Sequence, residues 1–325
     1  MKNKYWNLLK ESPESGLELT AHEWQAFEPF LNDHRLEGYI FKNFGPLLNQ
    51  DLKEKFSLQW QVQWFRNHLY LNEFQHINQL SKSAGLTLTA LKGAAMLSDL
   101  YQDLGSRQMS DLDLLIPEAQ IFLFQQLLLK NGYASVQSAA WKANNFKFTL
   151  TKKIQGFDLV VELHSQLFFL EKKSITWLTT TKDFTILSPT DHLTHLIGHF
   201  SYQHTFLKLF WLMDIDRWIR RKGTEIDWYR VLEVSGKLRM KKATNATLWM
   251  THTFLGTPIP KSILRPLSLI QRIFLTENFL WHKKFNLTYY LIKYDLKDSA
   301  KDTFEYITLW IIHKFKQFFV APRIP

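Results

Sequence analysis

Apolar side chains recur at helical intervals through the first quarter of the chain. Glu23-Trp24-Gln25-Ala26-Phe27 and Leu36-Glu37-Gly38-Tyr39-Ile40-Phe41 show the spacing, as do Trp60, Trp64, His68 and Leu71 within 52–82. The texture changes at Gly85. Leu86-Thr87-Leu88-Thr89-Ala90-Leu91 is short, apolar and rich in Thr, which predicts a buried strand. Lys92-Gly93 ends it and a short helix over 94–101 follows. A second strand is expected over 112–116, stopped by Pro117, then a helix over 118–131 closed by Gly132. Strands are expected over 145–151 and 156–164. From Ser188 the pattern is helical again. Ser188-Pro189-Thr190-Asp191 makes a helix start, and further helices are expected over 207–221, 227–235 and 241–255 before Pro258 and Pro260 interrupt the pattern. This predicts an α+β protein. A helical region (1–84) precedes a small mixed-sheet core (85–187), and a helical domain (188–325) follows.

Composition narrows the picture. Of the residues 46% are hydrophobic, with 26 Phe, 12 Trp and 11 Tyr, so a disordered chain is excluded. With no cysteine, disulfides, Cys-based zinc sites and Cys nucleophiles are excluded as well. The N-terminal lysines are not followed by an apolar segment of signal-peptide type. The longest strongly apolar stretch, near 306–312, is far short of the roughly 20 residues that span a bilayer. A cytoplasmic protein is expected. The net charge is +10, and residues 191–325 carry all of the excess, with 21 basic and 11 acidic residues. That half suits an anionic partner, or it has Lys-rich solvated helix faces.

The chemistry concentrates in Ser110-Asp111-Leu112-Asp113-Leu114-Leu115-Ile116. A strand has period two, so Asp111 and Asp113 share one face and the leucines take the other. Two half-buried carboxylates side by side repel each other and call for a cation. A hard divalent ion such as Mg²⁺, or Mn²⁺, with phosphate oxygens completing its shell, satisfies that need. A strand edge with two solvated acids is the plain alternative. Upstream, Lys92-Gly93-Ala94 closes a strand and opens a helix, where glycine lets phosphate approach backbone N–H groups. Arg107 could grip a phosphate with its fork of donors. Downstream, Asp158, Glu162 and His164 share a face of Asp158-Leu159-Val160-Val161-Glu162-Leu163-His164, and a third carboxylate would complete a two-metal site.

Leu91-Lys92-Gly93, Leu100-Tyr101, Arg107-Gln108-Met109-Ser110-Asp111-Leu112-Asp113-Leu114-Leu115 and Val161-Glu162-Leu163-His164 together resemble the bacterial uncharacterised nucleotidyltransferase family. That family belongs to the DNA polymerase β-like superfamily. The resemblance extends from Asn32-Asp33-His34-Arg35 to Phe254-Leu255-Gly256-Thr257-Pro258-Ile259-Pro260, roughly residues 20–260. It implies a mixed sheet flanked by helices and transfer of a nucleotidyl group from a nucleoside triphosphate, such as ATP, to an acceptor. Asp111, Asp113 and Glu162 match its catalytic, metal-binding carboxylates. Lys92, Gly93, Arg107 and Ser110 would hold the nucleotide. One departure is visible. Gly93 is followed by Ala94 where the superfamily has serine, and Asp111 comes eighteen residues later, further than the superfamily pattern places it. The acceptor is open: RNA, protein, peptide or small molecule. A non-catalytic nucleotide- or RNA-binding protein, and a membrane-peripheral accessory protein, are the competing readings.

Other features point less sharply. His192, His195 and His199 have helical spacing but no accompanying Glu, so packing is favoured over a metal site. Asp214 and Asp216 lie in a helical pattern, which makes them a surface or packing pair. Arg217, Arg220, Arg221, Lys222, Lys237, Arg239, Lys241 and Lys242 form a basic cluster suited to phosphate backbones or to water. The tail at 304–320 mixes Ile307, Trp310, Ile311, Phe315 and Phe318 with Lys314 and Lys316. It would dock on the protein, on a second subunit or on an anionic membrane.

Overall fold

The computed structural model describes residues 2–10, 19–101, 103–136, 147–168, 175–181, 183–281 and 286–320. The helices are α1 (Lys2–Leu9), α2 (Ala21–His34), α3 (Glu37–Phe44), α4 (Gln50–Ser83), α5 (Lys92–Leu100), α6 (Ile121–Lys130), α7 (Pro189–Ile197), α8 (Leu209–Lys222), α9 (Trp228–Lys237), α10 (Lys241–Leu255), α11 (Leu269–Phe274), α12 (Glu277–Trp281), α13 (Leu287–Asp295) and α14 (Ala300–Val320). The strands are β1 (Thr89–Ala90), β2 (Leu112–Leu115), β3 (Ala134–Ser135), β4 (Lys147–Ile154), β5 (Phe157–His164), β6 (Thr179–Thr181) and β7 (Thr185–Leu187). They form one mixed sheet in the order β3-β4-β5-β2-β1-β7-β6. The α+β class read from the sequence is the class the chain adopts.

Local chemistry sets the element ends. Thr20 opens α2 with a capping box: its hydroxyl accepts from the Glu23 N–H, and the Glu23 carboxylate accepts from the Thr20 N–H. Asp227 caps α9 by accepting from the Arg230 N–H. The helix expected over 118–131 divides, because the turn after Pro117 is a 3₁₀ segment at Glu118–Gln120 that precedes α6. The strand expected over 86–91 shortens to β1. Residues 145–146 of another expected strand lie outside the described residues. Strands β3, β6 and β7 have two or three residues each, too few to show an alternating pattern.

Packing divides the chain into two units that interleave in sequence: residues 1–65, 100–108 and 189–298, and residues 66–99, 109–188 and 299–325. The first is helical. Within it α7 packs on α8 and α9, and α10 on α7, α8 and α9. Trp24, Phe27, Trp218, Phe200 and Phe206 are fully buried. Its interior also holds charge. Arg107 donates from Nε (2.9 Å to Oδ1) and Nη2 (2.9 Å to Oδ2) to the carboxylate of Asp214. The Tyr101 hydroxyl donates to the same Asp214. Arg217 lies over the rings of Tyr39 and Tyr101, 4.8 Å from each. Asp216 accepts from Arg220 Nε at 2.8 Å and from the Thr257 hydroxyl. The two aspartates are therefore interior packing groups rather than surface ones, each neutralised by an arginine. Arg217 and Arg220 are accordingly withdrawn from the basic cluster, while Arg221, Lys237 and Lys241 are exposed. His192 and His195 of α7, and His199 in the π-helical turn (Gly198–Gln203) that follows it, are buried, and the His192 ring stacks on Trp218 at 4.2 Å.

The second unit holds the whole sheet. Leu112 and Leu114 of β2, with Leu159, Val161 and Leu163 of β5, are buried. Helix α6 contacts β5 and contributes buried Ile121, Phe124 and Leu128. Period-two alternation gives the opposite face of the same strands to Asp113, Glu162 and His164. In α14, Phe304, Ile311 and Ile312 are exposed. The side chains of Trp310, Lys314, Phe315, Lys316 and Phe318 lie outside the described residues.

Candidate functional site

The site arises from one pairing. Strands β2 and β5 run parallel, with Leu112 opposite Val161, Asp113 opposite Glu162 and Leu115 opposite His164. Residues opposite one another point to the same side of a sheet, so the pairing places Asp113 beside Glu162 at its centre. Asp113 is 3% exposed. Its Oδ1 accepts from Lys92 Nζ at 2.9 Å and lies 2.9 Å from His164 Nε2. His164 Nε2 is also 3.5 Å from Glu162 Oε2, which pairs with Lys147 Nζ at 2.6 Å. Among the described residues, Asp113, Glu162 and His164 form the one group of acids and histidines with ligand atoms close enough to share an ion. The histidines of α7 do not form such a group; the ring centroids of His192 and His195 are 6.5 Å apart.

Lys92 reaches Asp113 from an unusual backbone. It opens α5 with φ of 43°, a left-handed conformation that a residue with a Cβ adopts at a cost. The Leu91 N–H donates to the Asp113 carbonyl at 3.1 Å, which ties the turn to β2. The strained turn is held by the ion pair that Lys92 makes with buried Asp113. Gly93 follows, buried, in the first turn of α5.

The charges are unevenly compensated. Burial works to raise the Asp113 carboxyl, but Lys92 and then His164 hold it well below the usual carboxylate range. Burial likewise opposes ionisation of Glu162, and the hydrogen bond from His164 together with Lys147 keeps it low despite Asp113. His164 is pushed up, against its burial, by Asp113 and Glu162. Asp111 moves the other way. Burial and then the Asp113 charge lift its carboxyl to about 6. Among the described residues Asp111 has no salt-bridge partner; its carboxylate accepts a long hydrogen bond, 3.3 Å, from the Ser110 hydroxyl. Two carboxylates and an imidazole nitrogen are gathered within reach of one ion, and Asp111, whose carboxylate has no cation partner among the described residues, precedes them in sequence as a further oxygen donor suited to a hard divalent ion.

The expected residues are thus distributed as follows. Asp113, Glu162 and Lys92 come together, Asp111 and Ser110 adjoin them in sequence on the approach to β2, and Gly93 opens the neighbouring helix. Arg107 lies in the helical unit with its guanidinium committed to Asp214 and the Gln108 carbonyl. Asp158 shares the strand face but is exposed, and lies outside the four positions at which β5 pairs with β2. His164 joins the site although only its alternation with Glu162 marks it in the sequence, and nothing local marks Lys147, which pairs with Glu162 from β4.

Fold and site together define an α+β protein with a cluster of two acids and a histidine, close enough to share an ion, at the centre of a mixed sheet. A family described as uncharacterised nucleotidyltransferase matches residues 20–256, and the chain belongs to that family. None of the curated proteins and none of the solved structures matches it. Membership supports nucleotidyl transfer as the general activity and a nucleotide as substrate. No helix among the described residues is long and apolar enough to cross a membrane.

Proposed function

We propose that the chain is a Mg²⁺-dependent nucleotidyltransferase that moves a nucleotidyl group from a nucleoside triphosphate to an acceptor hydroxyl or phosphate. The observation that carries this is the Asp113–Glu162 pairing, which gathers acids distant in sequence onto one sheet face beside Lys92. Asp111, Asp113 and Glu162 would hold the metal, with Mn²⁺ an acceptable substitute. Bound there, the ions would neutralise phosphate oxygens and lower the pKa of the attacking group.

The chain's own groups have separable tasks. Lys147 and His164 keep Glu162 ionised, so it favours the ligand role over that of a base. Lys92 supplies a cation at the rim of the acids, available to a triphosphate once divalent charge satisfies Asp113. The N–H groups at the start of α5, opened by Lys92-Gly93, face the same demand for anions. Ser110, exposed, adds a hydroxyl. Arg107 is not part of this proposal, because Asp214 occupies its fork of donors. In the reaction the acceptor oxygen would lose its proton to solvent and bond to the α-phosphorus while the bond to the bridging oxygen breaks and pyrophosphate leaves. The test is incubation of the protein with Mg²⁺, cell extract and each α-labelled triphosphate. Label should enter a macromolecule or small molecule with wild type and not with Asp113→Asn. No transfer from any of the four triphosphates would oppose the proposal.

A further inference from the structure

Parallel pairing of β2 with β5 starts at Leu112 opposite Val161. Asp111 lies one residue before that start, outside the strand, so the ladder itself does not fix it. A side chain takes over at this point. Tyr70, fully buried on α4, donates its hydroxyl to the Ser110 carbonyl at 2.6 Å and accepts from the Val160 N–H at 3.2 Å. The hydroxyl thus bridges the backbone just ahead of β2 to β5, where a further rung would otherwise be required. Arg66, one turn earlier on α4, is a further partner of that hydroxyl, and burial keeps the phenol protonated and able to donate.

We propose that Tyr70 is the positioning residue of the metal site: its bridge fixes the Ser110–Asp111 peptide against β5 and so sets Asp111 beside Asp113 and Glu162 before an ion arrives. This rests on the metal-site reading above. Without the hydroxyl, a part-buried N–H and a part-buried carbonyl lose their partner, and the backbone carrying Asp111 is released to seek others. A site whose ligands must be ordered on binding holds its ion more weakly than a preformed one.

The experiment is Mn²⁺ binding without nucleotide, followed by electron paramagnetic resonance, for wild type, Tyr70→Phe and Tyr133→Phe. Tyr133 is a fitting control, because its buried hydroxyl donates to Glu73 within the same unit. Both variants should lower thermal stability, but only Tyr70→Phe should weaken Mn²⁺ binding, by tenfold or more. A Tyr70→Phe affinity within twofold of wild type, or equal losses in the two variants, would overturn the positioning role. Absence of Mn²⁺ binding by wild type would sink the metal-site reading, and this inference with it. If Tyr70→Phe does not fold, amide exchange in the wild type decides: Val160 N–H should be protected almost to the level of global unfolding. Exchange at the rate of a free peptide amide would overturn the bridge.

Discussion

Replacing Asp111 by asparagine should make the metal-free protein more stable, although it removes a residue of the proposed site. The carboxyl of Asp111 stands at about 6 instead of 3.8, first because it is buried and second because Asp113 is close. At 1.36 kcal/mol for each pKa unit, keeping it ionised in the folded state costs about 3 kcal/mol, with roughly 1.5 kcal/mol of latitude either way. The sign follows from proton binding. Between pH 3.8 and 6 the folded chain holds this proton while the unfolded chain has released it, so wild-type stability falls as pH rises through that window. Above it the whole cost is present. The asparagine side chain carries no charge and escapes it. In EDTA at pH 7.5, urea unfolding should show Asp111→Asn more stable by about 3 kcal/mol. The gap should close as pH falls toward 4. Saturating Mg²⁺ should narrow or reverse it, since only wild type gains the full binding energy. Equal or lower stability of the variant at pH 7.5, or a gap that persists at pH 4, would mean that an ionised Asp111 does not destabilise the metal-free fold.

Other expectations follow from buried charge elsewhere. His192, with no hydrogen-bond partner for either ring nitrogen, is held neutral by burial, with its pKa lowered to about 3. The unfolded chain binds this proton from pH 6.5 downward, so up to about 5 kcal/mol of stability should disappear between pH 6.5 and 3. His192→Phe should flatten that slope in acid titrations followed by circular dichroism, while an unchanged slope would assign the acid sensitivity to other groups. Asp214→Ala strands the Arg107 guanidinium and should destabilise the helical unit by about 3–5 kcal/mol in calorimetry; a loss under about 1 kcal/mol would show that the pair is not holding the interior. Reversing the exposed Arg221, Lys237 and Lys241 to glutamate should lower RNA affinity and flatten its salt dependence if the acceptor is a nucleic acid. Unchanged binding in filter assays would leave those residues as a solvated face.

Strand alternation makes the face shared by Asp113, Glu162 and His164 legible from the sequence, but it does not reach Asp111, which precedes β2 and lies outside its ladder. The pairing that joins them was not legible, because parallel strands need a long crossover and register cannot be read from either strand alone. Arg107 shows the same limit. Its place just before the acids suggested phosphate binding, yet its partner Asp214 lies 107 residues away and nothing local announces it. For Asp214 and Asp216 the helical pattern leaves surface and packing both open, and only the distant partners Arg107 and Thr257 fix them as packing groups. Tyr70 carried no signal at all, since a single aromatic on a helical stripe is ordinary core.

In the proposed reaction the sheet-centre acids bind divalent metal and present a triphosphate to it. A crystal of the protein with Mn²⁺ and a non-hydrolysable triphosphate analogue tests it most directly, through the anomalous signal of the ion. Peaks are expected within about 2.0–2.4 Å of oxygens from Asp111, Asp113 and Glu162, bridged to phosphate, with Lys92 Nζ moved off Asp113. Mn²⁺ bound elsewhere, or nucleotide bound with these carboxylates empty and Lys92 still on Asp113, would contradict it.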